Sequence, residues 1–336
     1  MIGPRLPVTG CPSPHVAISL AMISAAPPSQ AIAPPASEVQ FLGEDVAASY
    51  GAARVVVLPI PYETTTSYRK GCEQGPAALL EASQQVEFYD DELDRESWPV
   101  GIWTHGAIAD TQVQPDLPSE TMLAETQRAT ARLIQDGKFV VAIGGEHSIT
   151  AGVVAAYRDS SPEPFTVVQI DAHGDLRQSY EGSIHNHACV MRRIVDMGLP
   201  TVQVGIRSVC AEEAQLIRET DNITVIWARE MATDPDWMER TIAAIPTQNV
   251  FLTIDLDGID PSLMPGVGTP EPGGLNWYGL LRFLRRLFEK HTVLGCDVME
   301  LAPLGESVVS EFVAAKLTYK LIAYQAIAQQ WPLDCV

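Results

Sequence analysis

Acidic residues and histidines follow four short apolar segments of the sequence, each at the point where the segment ends. Carboxylate oxygens and imidazole nitrogens bind divalent ions such as Mn²⁺, and bound ions of this kind support hydrolysis. Ligands of parallel α/β sheets bind beyond the carboxyl ends of the strands, so this placement is typical of a catalytic site. The clusters are GGEH at 144–147 after the run 139–143, DAHGD at 171–175 after 165–170, DLDGID at 255–260 after 250–254, and DVME at 297–300 after 292–296.

The spacing within two of these clusters indicates that their side chains converge. In extended backbone, residues i, i+2 and i+4 face the same way. Asp171, His173 and Asp175 could therefore share one site, and so could Asp255 and Asp257. Four carboxylates in one pocket repel one another strongly unless cations hold them together. The candidate ligands, all of them oxygen or imidazole donors, are His147, Asp171, His173, Asp175, Asp255 and Asp257.

The charge of this set predicts two metal ions. Four aspartates contribute −4 and two divalent cations contribute +4, so the cluster is neutral before bound solvent is counted. A pair of such ions lowers the pKa of water between them and yields a nucleophile near neutral pH. The donors suit two Mn²⁺ ions, and Ni²⁺ or another divalent ion is an alternative.

Each motif also has an ordinary explanation. A single Asp after a strand is more often a helix cap or turn residue than a ligand. Asp-Gly and Asp-Pro pairs, as in 257–261, are common in turns. The metal-site interpretation therefore depends on all four motifs together, because four separate strand ends each offer carboxylate or histidine ligands.

The elements that would position these residues alternate between strands and helices. Continuous apolar strands separated by amphipathic helices predict a three-layer α/β/α fold with a mostly parallel central sheet. The predicted strands are 54–60, 139–143, 165–170, 201–204, 224–226, 250–254 and 292–295. The predicted helices are 119–136, 149–157, 188–197, 211–219, 237–244, 277–290 and 307–328.

The first 37 residues differ in composition from the rest of the chain. They contain no Asp or Glu and are rich in Pro and Ala, so we predict a disordered leader at 1–37 and a single domain at 38–336. A signal peptide is an alternative, since an apolar stretch at 16–26 precedes small residues. A third interpretation is an over-extended start, with initiation at Met22.

The net charge restricts the partners. A formal charge of −20 repels phosphate backbones and anionic lipid, so we expect neither nucleic acid nor a membrane as partner, and a small cationic substrate instead. No apolar run approaches the roughly 18 residues needed to span a bilayer. The six cysteines include no CxxC pair, which favours a reducing compartment and predicts a cytoplasmic protein.

Together these motifs resemble those of the ureohydrolases, the family of arginase and agmatinase. GGEHS at 144–148, DAHGD at 171–175 and DLDGIDPS at 255–262 occur in the family's order. Further matching segments are 65–71 with Gly75-Pro76, 265–274 and 297–300, and the resemblance runs from about 50 to 325. The stretch 171–193 is most similar to the agmatinase branch. The resemblance implies an arginase-like fold and a homo-oligomer, trimeric or hexameric.

The resemblance also implies roles for single residues. His147 and Asp175 would bind one Mn²⁺, and His173 and Asp257 the other. Asp171 and Asp255 would contact both ions. Glu300 corresponds to the acid that binds the guanidinium group, and His187 to a histidine that assists proton transfer. Asp175, Asp171 and His187 remain alternatives for protonating the leaving amine. Relatives usually have Ser where this chain has Asn186, before the histidine, and the extra His185 is expected on the loop surface.

The activity that follows from the resemblance is hydrolysis of a guanidino group to urea and an amine. Agmatine, which would give putrescine in polyamine biosynthesis, is the expected substrate. Guanidinobutyrate, guanidinopropionate and free guanidine are alternatives, and arginine is a weaker one. The alternative from another functional class is a non-catalytic relative that only binds a ligand or partner. Against it, this chain has the expected residue at every motif position.

Overall fold

The computed structural model describes residues 33–333. Residues 1–32, which make up most of the predicted leader, and residues 334–336 lie outside this range. Within it, Ser37 donates its backbone N–H to the Thr104 carbonyl (3.0 Å), and Gly106 donates to the Pro35 carbonyl (2.7 Å). The boundary between leader and domain stays a prediction.

An eight-stranded sheet lies at the centre, and each pair of neighbouring strands in it is parallel. Its order is β4-β1-β5-β10-β9-β6-β7-β8, and a separate two-stranded hairpin joins β2 to β3. The strands are β1 Val55–Ile60, β2 Tyr89–Asp90, β3 Arg95–Glu96, β4 Ile102–Thr104, β5 Phe139–Gly144, β6 Phe165–Ile170, β7 Thr201–Ile206, β8 Ile223–Trp227, β9 Asn249–Asp255 and β10 Thr292–Met299.

Helices cover both faces of this sheet. Along β1, Val55 and Val57 join the core on one face while Val56 and Leu58 join the core on the other, as the alternation of strand side chains requires. Helices α1, α7, α8 and α9 pack on the first face, and α2, α3, α4 and α5 on the second. The helices are α1 Gly75–Ser83, α2 Ser119–Gln135, α3 Thr150–Ser160, α4 Val190–Asp196, α5 Ala211–Glu219, α6 Ala228–Met231, α7 Trp237–Ala244, α8 Trp277–Lys290 and α9 Val309–Ala328.

The predicted three-layer fold is confirmed, and each of the seven predicted strands is present. The sequence predicts no element between 61 and 118, where the structure has α1, the hairpin and the edge strand β4. Helix α1 begins with Gly-Pro and is apolar along most of its length, so it shows no alternation of polar and apolar faces, and the strands have only two or three residues each. Across residues 33–333, no helix is both long and apolar enough to cross a membrane.

The topology brings the four polar clusters together. The strands that precede them, β5, β10, β9 and β6, are consecutive neighbours in the middle of the sheet. Because all four are parallel, their carboxyl ends lie at one edge. The backbones approach closely there: a Cβ added at Gly258 would lie 2.7 Å from the backbone nitrogen of Asp171.

We predict that Gly258→Ala disrupts this edge. The added methyl group would collide with backbone rather than with a flexible side chain, so the free energy of unfolding should fall by about 1–3 kcal/mol. Thermal denaturation measures the change. Gly51→Ala is the matched control, since its Cβ would meet no described atom within 4 Å and its φ lies outside the left-handed region. Equal stability of the two variants would contradict the prediction.

Candidate metal centre and active site

Six candidate ligands occupy the loops that leave β5, β6 and β9. His147 begins a short 3-10 helix, His147–Ile149, directly after β5. Asp255 is the last residue of β9, and Asp257 lies in the next 3-10 turn, Leu256–Gly258. The remaining three ligands follow β6 in the segment 171–175.

His147 lies among three carboxylates. Its Nδ1 atom is 3.1 Å from Asp171 Oδ2, 3.2 Å from Asp175 Oδ2 and 3.3 Å from Asp255 Oδ2. The imidazole is fully buried, yet Nδ1 makes no hydrogen bond. A buried nitrogen left without a hydrogen bond and facing three carboxylate oxygens fits coordination of a cation.

His173 forms a second group with the same carboxylate of Asp171. The distance from His173 Nδ1 to Asp257 Oδ2 is 2.9 Å, and that to Asp171 Oδ1 is 3.6 Å. Asp171 therefore belongs to both groups, as expected for a ligand between two ions. Asp255 lies against His147, and its other oxygen accepts the Asp257 N–H (2.9 Å).

The pKa values of these groups show how strongly the charges interact. Burial alone would lower the pKa of His147, but Asp171, Asp175 and Asp255 outweigh it and raise that pKa well above its usual range. Burial and the charge of Asp171 raise the pKa of Asp175 to about 7. Ionised carboxylates without a neutralising cation thus raise the free energy of the folded protein, and two divalent cations would remove that penalty.

The backbone of the ligand loops is less regular than the sequence spacing implied. We expected Asp171, His173 and Asp175 to converge from extended backbone, but Asp175 has a φ of 50°. Asp255 and Asp257 likewise are joined by the 3-10 turn rather than by extended chain. The residues do meet, but turns bring them together instead of strand alternation.

Glu300 lies beside the ligands in a strained conformation. Its φ is 68°, in the left-handed region that non-glycine residues seldom adopt. Two bonds hold it: its N–H donates to the Gly145 carbonyl (2.8 Å), and its Oε1 accepts the His147 N–H (2.7 Å). Burial raises the pKa of its carboxyl well above the usual range. A cationic group placed against it would favour the ionised form.

His187 lines the same cavity, at the start of the 3-10 helix His187–Cys189. Its backbone N–H donates to Thr65 Oγ1 (3.0 Å), and its ring packs edge-on to Tyr180 at 6.4 Å between centroids. Burial lowers the pKa of His187 to about 4, so the ring is neutral near pH 7. His185 is half-buried rather than on the surface, and its Nδ1 has no hydrogen-bond partner.

A buried polar row supports the ligands from inside the sheet. The row, formed by register partners on four neighbouring strands, consists of Asp297, Thr253, Gln169 and Gln203. Thr253 Oγ1 lies 2.9 Å from His147 Nε2, and Gln169 donates to Asp171 Oδ2 (2.6 Å). When Nε2 carries the proton and donates it to Thr253, the neutral ring of His147 keeps a lone pair on Nδ1 for a cation.

Sequence reasoning missed this row, although a signal exists. Gln169, Gln203 and Thr253 are polar residues inside otherwise apolar strands, where a polar side chain needs a buried partner. Asp297 was noticed only as part of the DVME motif. Its Oδ2 accepts the Thr150 hydroxyl (2.9 Å), and burial raises its pKa to about 6.

The cavity above these residues has a volume of about 380 Å³, within the usual range of small-molecule sites. Carboxylates and His173 line its floor. Its walls include Tyr68, Arg177, Tyr180 and Cys210.

We predict that Thr253→Val weakens metal binding about 10–100-fold, as loss of a supporting hydrogen bond commonly does. Valine keeps the shape of threonine but cannot bond His147 Nε2. Competition with a chelator measures the affinity, and circular dichroism checks the fold. Thr241→Val is the matched control, because this buried threonine bonds only within α7, to the Trp237 carbonyl. Unchanged affinity in Thr253→Val would contradict the role given to the row.

Comparison with known proteins shows the family of this chain. The sequence profile of the arginase family matches residues 53–323. The N(1)-aminopropylagmatine ureohydrolase of a Synechocystis species is 59% identical over 292 residues, which is 87% of this chain and 95% of that protein. The agmatinase of Pyrococcus horikoshii is 32% identical over 276 residues, or 82% of this chain and 93% of that one.

Solved structures give the same result. The crystal structure of the agmatine ureohydrolase of Thermoplasma volcanium superposes with a TM-score of 0.77 at 30% identity, covering 88% of this chain and 96% of that one. The arginase-like fold and the resemblance to the agmatinase branch are thereby confirmed. The chain belongs to the arginase family, and it is a hydrolase whose relatives include ureohydrolases of the agmatinase type.

Proposed function

We propose that this enzyme hydrolyses the guanidino group of N(1)-aminopropylagmatine to urea and spermidine. The observation that carries the choice of substrate is the 59% identity, over nearly the full domain, to the ureohydrolase named for that compound. This refines the expectation from sequence, which was agmatine. Agmatine remains the second candidate, because relatives at 32% and 30% identity are named for it.

The two reactions differ only in the leaving amine. One water molecule supplies the oxygen of urea, and the bond between the guanidino carbon and the alkyl nitrogen breaks. The alkyl nitrogen gains a proton and leaves as an amine. With agmatine that amine is putrescine. With the aminopropyl arm attached to the other end of agmatine, the amine is spermidine.

His147, Asp171, His173, Asp175, Asp255 and Asp257 are the residues that we propose as ligands of two Mn²⁺ ions. Ions bound there would supply a water of lowered pKa and positive charge opposite the developing negative charge. The buried and unbonded Nδ1 of His147 supports this assignment. The family and the donor set support two metal ions, and the choice of Mn²⁺ is part of the proposal.

Glu300 would bind and orient the substrate. A carboxylate can accept parallel N–H bonds from the planar guanidinium, which fixes the carbon toward the metal ligands. Its Oε1 is held by the His147 N–H (2.7 Å), so the group that binds the guanidinium is tied directly to a proposed metal ligand. The strained φ of 68° supports a functional position, since such strain persists where the surroundings impose it.

His187 would carry the proton to the leaving amine. Its low pKa keeps it neutral, so it would accept a proton from the attacking water and return it to the alkyl nitrogen. Asp175, which lines the same cavity, is the alternative carrier.

The cavity suits a long cationic tail. Tyr68 lines its wall, and an aromatic face attracts ammonium groups, as the Arg177 guanidinium over the neighbouring Tyr180 ring at 4.7 Å illustrates. Once two divalent cations balance the four aspartates, Glu300 is the acidic group of the cavity whose ionised form a cationic substrate would favour, and the chain as a whole is strongly acidic. Both favour a polyamine over a neutral or anionic guanidino compound.

The test is urea release by purified enzyme loaded with Mn²⁺ or, separately, Ni²⁺. N(1)-aminopropylagmatine, agmatine, guanidinobutyrate, guanidine and arginine are compared at equal concentration. We expect kcat/KM to be highest for N(1)-aminopropylagmatine, by about tenfold or more over agmatine, which corresponds to roughly 1.4 kcal/mol of transition-state binding. A preference for agmatine would reject the proposed substrate, and no urea from any compound would reject the hydrolase assignment.

We predict that Asp257→Asn loses metal and activity together, because the variant removes a charge that balances the ions while keeping the side-chain shape. Metal content by atomic emission and urea release are measured on the same sample. The control is His185→Ala, which should keep both within about twofold, since His185 has no place among the proposed ligands. Full activity in Asp257→Asn would contradict the ligand assignment.

Cellular location and assembly complete the proposal. The four described cysteines, Cys72, Cys189, Cys210 and Cys296, are free thiols, which supports a reducing compartment and hence the cytoplasm. A homo-oligomer, trimeric or hexameric, is proposed from the family alone.

A further inference from the structure

We propose that Thr65 is a positioning residue that holds the His187 ring with the proton on Nδ1 and the lone pair on Nε2. This inference rests on the proposed function, in which His187 transfers a proton. It assigns a task to a residue that has no role in the proposed function and that lies in the segment 65–71, which resembles the family.

The contacts converge on one hydroxyl group. Thr65 Oγ1 donates to Glu146 Oε1 at 2.7 Å. The same oxygen accepts the backbone N–H of His187 at 3.0 Å, and it lies 3.4 Å from His187 Nδ1. The two residues are 122 positions apart in the chain, so the contact is a feature of the fold rather than of a local turn.

The hydrogen count of a hydroxyl group decides the direction of these bonds. A threonine hydroxyl has one proton to donate and two lone pairs that accept. Its proton goes to Glu146 and one lone pair takes the His187 N–H, so the second lone pair is left for Nδ1. Nδ1 must then be the donor. In a neutral imidazole this leaves Nε2 as the nitrogen able to accept a proton.

Glu146 fixes the hydroxyl in this orientation. The side chain is fully buried, and it receives the backbone N–H groups of Thr64 and Thr65, each at 2.6 Å. The Ser148 hydroxyl donates to it as well, at 2.5 Å. In all of these contacts a donor points toward the carboxylate, so the Thr65 hydroxyl proton is directed toward Glu146. Rotating it toward Nδ1 would break a buried hydrogen bond and leave Glu146 Oε1 with one donor fewer, which is costly.

The backbone of the two loops is also connected. Asn186, the residue before His187, donates from its side chain to the Thr65 carbonyl at 3.4 Å and accepts the Ala188 N–H at 2.9 Å. The loop that carries His187 is therefore held to Thr65 by three contacts, two from His187 and one from Asn186. A hydroxyl and a rigid backbone together set both the ring's position and its tautomer.

The test compares three single variants with the wild type. Thr65→Val keeps the shape and removes the hydroxyl, whereas Thr65→Ser retains it. Thr64→Val is the matched control on the same loop, since the Thr64 hydroxyl bonds Tyr62 and not His187. Circular dichroism and metal content are measured for each variant to exclude misfolding.

The first readout needs no turnover. Long-range ¹H–¹⁵N spectra of metal-free protein with labelled histidine report which ring nitrogen is protonated, and His187→Gln identifies the signal. We expect His187 with the proton on Nδ1 in the wild type, Thr65→Ser and Thr64→Val. In Thr65→Val a substantial fraction should carry it on Nε2.

The second readout is kinetic. We expect kcat of Thr65→Val to fall about tenfold or more with KM changed less than about threefold, because the loss affects proton transfer rather than substrate binding. Thr65→Ser should restore kcat to within about threefold. An unchanged tautomer in Thr65→Val would overturn the proposal whatever its activity. If no compound yields urea with the wild type, the proposed function fails, and the spectra still decide the role of Thr65.

Discussion

Repulsion among four buried aspartates is the interaction on which the rest of the site depends. Asp171, Asp175 and Asp255 lie within 3.3 Å of a single imidazole nitrogen, and burial makes each negative charge expensive. Cations between the carboxylates would relieve this repulsion, and without them burial and the neighbouring carboxylates raise the pKa of Asp175 and of Asp255. This concentration of negative charge explains why the proposed ligands suit divalent cations, why two such ions would balance them, and why the floor of the cavity is acidic.

The fold supplies the place where that concentration is possible. Four consecutive parallel strands end at one edge, so residues that are 153 positions apart in sequence become neighbours, as His147 and Glu300 do. Tight backbone approaches at Gly258 and left-handed conformations at Asp175 and Glu300 are part of the arrangement. Local strain at these positions is offset by the packed sheet beneath them.

Periodicity was sufficient to predict seven of the eight strands of the central sheet, and carboxylates and histidines after apolar runs were sufficient to predict which side chains converge at its edge. Both signals are local in sequence. The positive φ of Asp175 was not predictable, since Asp tolerates the left-handed region without requiring it. The contact of Thr65 with a histidine was missed for a different reason: a threonine in a loop has no distinguishing pattern until the fold brings it to its partner. The elements between 61 and 118 were missed because α1 begins with Gly-Pro, a common turn signal, and is apolar along most of its length, while β2, β3 and β4 have only two or three residues each.

The buried polar row also affects how the sheet assembles. A hydrophobic strand can slide by two residues against its neighbour and still present the same face, so apolar packing alone distinguishes such alignments weakly. Here Gln203 donates to Gln169, and Asp297 and Thr253 are direct register partners, so a slip of β9 or β6 would leave buried polar groups without partners. Each unpaired group costs about 1–3 kcal/mol. The side chains that orient the metal ligands therefore also act as a key for strand alignment, and catalytic geometry and folding specificity are encoded by the same residues.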